Sequence, residues 1–113
     1  MSFPLRDEQR IEHMIEACRL IIEFSNVDKS EYDASIEKQA AIIHYFILLG
    51  EAASRLSEDF KLKHDEIEWY RVSGMRNRLV HDYIAVDPEI VWSSAKESVP
   101  ELLARLINLR SNT

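Results

Sequence analysis

The 113-residue sequence predicts an all-α domain, a four- to five-helix up-down bundle that pairs into a two-fold dimer. Three observations point there. Two glycines and three prolines are too few to punctuate a hairpin-rich chain. Apolar residues recur at spacings of three and four along most of its length. One run, AAIIHYFILLGEAA, is apolar around most of a helix's circumference, so the bundle or a second subunit must cover it. Residues 1–113 suffice for a single domain with one core. A hydrophobic share of 46% beside 30% charged residues excludes a disordered chain.

The first helix is predicted from Leu5 to about Phe24, where Ile11, Met14, Ile15, Cys18, Ile21 and Ile22 form a stripe and Asp7 and Glu8 suit its positive end. Asn26 to Asp33 is polar and aperiodic, a connection in which Ser30 and Asp33 resemble a cap. A second helix is expected from about Tyr32 to Phe60. Gly50 inside it costs about 1 kcal/mol relative to alanine, which a closely approaching backbone would explain. His44 reads as a hydrogen-bonded interior histidine, and Tyr45, Phe46 and Leu48 as core or interface. Asp59 to His64 breaks the rhythm, with His64 in an exposed loop, and Asp65 with Glu68 offers another cap. The third helix then runs from Ile67 to about Tyr83, burying Trp69, Val72, Leu79 and Ile84, with Gly74 again suggesting tight packing. Asp87-Pro88-Glu89 is a strong helix start, and the last helix continues to Leu109 with a bend near Pro100.

Several classes drop out. A single cysteine, Cys18, forms no internal disulfide and fits a reducing cytoplasm, where it reads as a small apolar filler. MSFPLRDEQR lacks the apolar core of a signal peptide. The ten-residue run Ala40–Leu49 falls far short of the roughly 20 residues that span a bilayer. His13, His44, His64 and His81 lie on separate elements at no recognised ligand spacing, so neither a metal nor another cofactor is expected.

One window stands apart. Arg71, Arg76 and Arg78 give the interval 71–81 a charge of +3, so the rest of a chain of −6 sums to −9. Arginine's planar fork grips phosphate and stays charged, and histidine titrates near neutrality. Arg76 with His81 could therefore cleave RNA without metal. Histidine takes the 2′-hydroxyl proton and arginine stabilises the charge building on phosphate. On a regular helix Arg76 and Tyr83 share a face, but Arg76 and His81 stand roughly 140° apart. Either the helix ends or distorts near His81, or two copies supply complementary halves. An ordinary ion-pair network, with Asp82 as Arg78's partner, fits the same spacing.

The block GMRNRLVHDY, Gly74 to Tyr83, resembles the signature of HEPN-domain proteins of the HepT type. LGEAASRLSEDF (Leu49 to Phe60), Trp69 and VDPEIVW (Val86 to Trp92) match the same pattern in order. The resemblance spans about Ala40 to Leu106. It lacks only the proline-rich turn often found before the tryptophan, where this chain has HDEIEW. The resemblance implies a dimeric toxin ribonuclease of a type VII-like toxin–antitoxin system, acting on cellular RNA with tRNA a leading substrate. It makes Arg76 and His81 catalytic and Asn77 supporting, while the local run of positive charge makes Arg71 and Arg78 candidate RNA-binding residues. Tyr83 becomes the residue to which a minimal nucleotidyltransferase antitoxin of the MntA type transfers AMP. Glu51 falls in a segment that family members share, where it could pair with an arginine of the motif helix. The other functional class open to such a chain is a non-catalytic helical dimer that binds and regulates a nucleotidyltransferase.

Overall fold

The computed structural model describes residues 6–81 and 86–112. Its helices are α1 (Asp7–Phe24), α2 (Lys29–Asp33), α3 (Ile36–Ser54), α4 (Glu58–Lys63), α5 (Trp69–His81), α6 (Pro88–Ser93) and α7 (Val99–Ser111), with a π-helical segment, Ser94–Ser98, joining the last two. No strand occurs among the described residues. The long helix α3 lies between α1 and α5, and α1 in turn packs on α7. The stripe predicted for α1 forms one wall of the core, with Met14, Ile15, Cys18 and Ile21 buried against Ile42, Leu79, Val99 and Leu106. Each such aliphatic side chain contributes about 1.5–3 kcal/mol when fully buried. Burial pushes the Cys18 thiol up to about 12, in keeping with a structural filler.

The structure redraws the connections. The polar stretch after α1 holds a one-turn helix, α2, in which Ser30 is internal and caps nothing. Tyr32 anchors it: the ring is buried and packs 4.8 Å from Trp92, and its hydroxyl donates to the Pro88 carbonyl at 2.9 Å. The second long helix starts only at Ile36, where Ser35 Oγ accepts from the Lys38 N–H at 3.1 Å. It stops at Ser54, and the break falls earlier than expected, because Ser57 caps a separate helix α4 through the Phe60 N–H. Asp7 at the start of α1 accepts from both the backbone N–H and hydroxyl of Ser57, which ties α4 to the bundle. His64 is mostly buried, 4.5 Å from the Phe60 ring, rather than an exposed loop residue. The third long helix begins at Trp69, two residues late; its expected end and Ile84 lie outside the described residues.

Asp87-Pro88-Glu89 behaves as its local chemistry requires: Asp87 accepts from the Glu89 N–H at 2.9 Å, and proline fills the first helical position. Next to Pro100, where a bend is expected, the structure has a π-helical segment, Ser94–Ser98. Proline has no N–H to return to the fourth residue back, so the wider register absorbs the missing bond.

Two expectations inside the long helices fail. His44 is exposed and only edges the Tyr45 ring, so it is not an interior hydrogen-bonded group. Gly74 has open space around it, and no tight packing accounts for it.

Candidate active site

Helix α5 is fixed by its ends. Trp69 is buried beside Phe60, and its indole N–H donates to the His64 carbonyl at 3.0 Å. Leu79 is buried two residues before His81. Between them α5 lies close against α3 because position 50 has no side chain. A Cβ there would overlap Arg76 Cβ and stand 3.0 Å from Arg76 Cγ and the Val72 carbonyl oxygen. The close approach expected at Gly50 is therefore real, and it is made by the motif arginine and its helix.

Arg76 runs out along that seam. Its Nη2 donates to Glu51 Oε1 at 2.8 Å, and Nη1 donates to Asn77 Oδ1 at 3.0 Å. Its Nε is buried with no partner among the described residues. Hydrogen bonding and attraction from Arg76 hold the Glu51 carboxyl below its ordinary value, and Arg55 adds a weaker contact at 3.4 Å to the other oxygen. Both members of the Arg76–Glu51 pair keep about a third of their side-chain surface in water, which screens the attraction and keeps its stabilisation small. Its main effect is positional: the guanidinium is held in place while part of it still faces solvent.

The other predicted residues separate into groups. Asn77 touches Arg76 and is exposed. His81 is exposed and is the last described residue of α5, which stays α-helical up to it. No distortion therefore swings His81 round towards Arg76 in the helix itself, and the roughly 140° offset stands. Arg71 and Arg78, seven residues apart, line a groove of about 670 Å³ between α5 and the α6–α7 arm, with Phe46, Met75 and Leu102 among its apolar walls. The three arginines thus do not form one patch, since Arg76 faces α3 and the other two face the groove. Arg71 pairs with Glu68 at 3.1 Å; Arg78 has no partner among the described residues. Tyr83 and Asp82 lie outside the described residues.

Sequence reasoning identified Glu51 as a partner for a motif arginine but overlooked Arg55. The signal was available, since Arg55 follows Glu51 by four residues on one helix.

The sequence that carries this part-exposed guanidinium, its adjacent carboxamide and the exposed imidazole is similar to those of known proteins. The family described as "Ribonuclease HepT-like" matches residues 14–109. A protein of Thermococcus cleftensis named "Probable ribonuclease HepT" is 34% identical, covering 88% of this chain and 92% of its own. A Methanocaldococcus jannaschii protein provisionally named an RNase is 30% identical over 79% of this chain and 83% of its own. A third, from Caldanaerobacter subterraneus subsp. tengcongensis and also provisionally named an RNase, is 28% identical over 81% and 83%. No solved structure matches the chain significantly. With the family pattern covering α1 to α7 and the Arg76–Glu51 seam inside it, the chain belongs to the ribonuclease HepT-like family.

Proposed function

We propose that this protein is a metal-independent endoribonuclease, the toxin of a type VII-like toxin–antitoxin pair, acting on cellular RNA in the cytoplasm with tRNA as its leading substrate. The observation that carries the reading is Arg76: held by Glu51 in the α3–α5 seam, part-exposed, beside Asn77 and on the helix that ends in exposed His81. In the reaction His81 takes the proton from a ribose 2′-hydroxyl, and the 2′-oxygen bonds to the adjacent phosphorus. The bond from phosphorus to the 5′-oxygen breaks, and that oxygen leaves with a proton returned by the imidazolium. Arg76 stabilises the charge on the non-bridging oxygens. The products are a 2′,3′-cyclic phosphate and a free 5′-hydroxyl, so DNA, lacking the 2′-hydroxyl, is not a substrate.

A two-fold dimer completes this site in our reading. The outer stripe of α3 presents Ile36 and the partly buried Ile43 and Ile47 with Leu48 beside them, and it runs on to Glu51. Pairing two copies across that stripe would set each Arg76 near its counterpart's motif helix. A cognate nucleotidyltransferase would silence the toxin by transferring AMP to Tyr83, adding bulk and negative charge where the RNA phosphate approaches.

One observation favours a second reading. Arg76 is engaged with Glu51 and packed at Nε, as a purely structural arginine would be. In that case the chain is a non-catalytic helical dimer that binds and regulates the nucleotidyltransferase. Cleavage of total tRNA in EDTA by the wild type, His81→Ala and Arg76→Ala separates the two, once intact mass shows Tyr83 unmodified. The nuclease reading expects cyclic-phosphate ends from the wild type alone. Folded, unmodified wild type that cuts no RNA would favour the second reading, and equal cutting by all three would reveal a contaminant.

A further inference from the structure

A second face of α5 is used by neither the core nor the Glu51 contact. Tyr70 is 76% exposed and has no hydrogen-bond or ring partner among the described residues. Asn77 and His81 follow it by seven and eleven residues, so at about 100° per residue both fall within about 20° of the same line. Gly74 lies between them, about 40° round, and a side chain there would meet nothing within 4 Å. One line of the helix thus carries an exposed phenol ring, a stretch of bare backbone, a carboxamide and an imidazole. Arg71 and Arg78 run parallel to it on one flank, at the lip of the groove.

We propose that this line is a track for single-stranded RNA, in which Tyr70 stacks on a base a few nucleotides from the phosphate that is cut. Tyr70 is then a specificity-determining residue, and the proposal rests on the nuclease reading above. Among the described residues nothing packs on the ring: it buries little surface, and tyrosine is a poorer helix former than arginine or alanine. A base offers a π-face of matching size, and stacking dries both surfaces. Open backbone at Gly74 lets a sugar–phosphate chain lie close to the helix, and the two arginines flank it with positive charge on an otherwise acidic protein. From Tyr70 to His81 is about 16 Å along the axis, a span of a few nucleotides.

The test uses the full-length His81→Ala protein and single-stranded RNA carrying 2-aminopurine, beside the same protein with Tyr70→Ala or Tyr70→Trp added. Binding should quench the fluorescent base. Tyr70→Ala should weaken binding about 5- to 100-fold and remove the quenching, while Tyr70→Trp retains both. Equal affinity and quenching without the ring would overturn the proposal, as would failure of the RNA to bind. So would a monomeric Tyr70→Ala protein by light scattering, which would assign the ring to a second copy. Cleavage by otherwise wild-type protein keeps the two claims apart. If Tyr70→Ala cuts at the wild-type positions and rate while His81→Ala is inert, the stacking proposal alone falls and the nuclease reading stands. If His81→Ala cuts as well as the wild type, the nuclease reading falls.

Discussion

A methyl group at position 50 would overlap Arg76 Cβ, so Gly50→Ala sets two effects of known size against each other. Alanine gains about 1 kcal/mol over glycine inside a helix. Overpacking a closed seam costs about 1–3 kcal/mol, and here the obstruction includes the Val72 backbone carbonyl as well as a side chain. The clash should win. We expect Gly50→Ala to leave stability unchanged or reduced by up to about 2 kcal/mol in denaturant melts, yet to lose most RNA cleavage because Arg76 and α5 must shift. Gly74→Ala is the control: nothing stands within 4 Å of its Cβ, so the helix should gain stability. A Gly50→Ala protein with wild-type cleavage would show that the seam does not set Arg76. The two glycines look alike in the sequence, each interrupting a helix. Only the neighbouring helix distinguishes them, and that information is not local.

At the scale of elements, what could be read from sequence was whatever is encoded within one or two turns. The α1 stripe and the Asp87-Pro88-Glu89 start were legible because periodicity and capping act between near neighbours. Helices α2 and α4, of five and six residues, were not. Such short helices have too few hydrogen bonds to repay their nucleation and exist through tertiary contacts. For α2 that contact is Tyr32, whose hydroxyl pins it to the first turn of α6 alongside the Lys29–Glu89 ion pair at 2.5 Å. Burial first, then the nearby Asp33 and Glu89 carboxylates, push the Tyr32 phenol from 10.0 up to about 12. A raised acid contributes stability that is complete below its unfolded value and is lost as pH rises through the folded one. Tyr32→Phe should therefore cost about 1 kcal/mol near neutrality, for the lost hydrogen bond. It should also flatten the decline in stability between about pH 10 and 12. Cys18, raised from 9.0, contributes an alkaline loss common to both proteins. Parallel slopes for wild type and Tyr32→Phe would show that the phenol is not linked to folding.

At the scale of the whole molecule, the sequence offered candidate site residues but not their geometry. The sequence identified Arg76, Asn77 and His81, and helical arithmetic already placed Arg76 and His81 on different faces. It grouped Arg71 and Arg78 with Arg76, whereas the fold turns them to a separate groove. The proposed two-fold dimer would build a site with both groups on one phosphate from two copies, Arg76 from one and His81 from the other. That arrangement is testable by mixing. An Arg76→Ala subunit paired with a His81→Ala subunit has one site with both groups missing and one with both intact. After subunit exchange at equal ratio, half of the dimers are mixed, and activity should return to about a quarter of the wild-type level from two inactive parents. If each chain instead built its own site, every site in the mixture would lack a group and no activity would return. Ile36→Glu on the outer stripe of α3 should prevent the rescue by preventing pairing, since it places a charge on a face that two-fold symmetry presents twice.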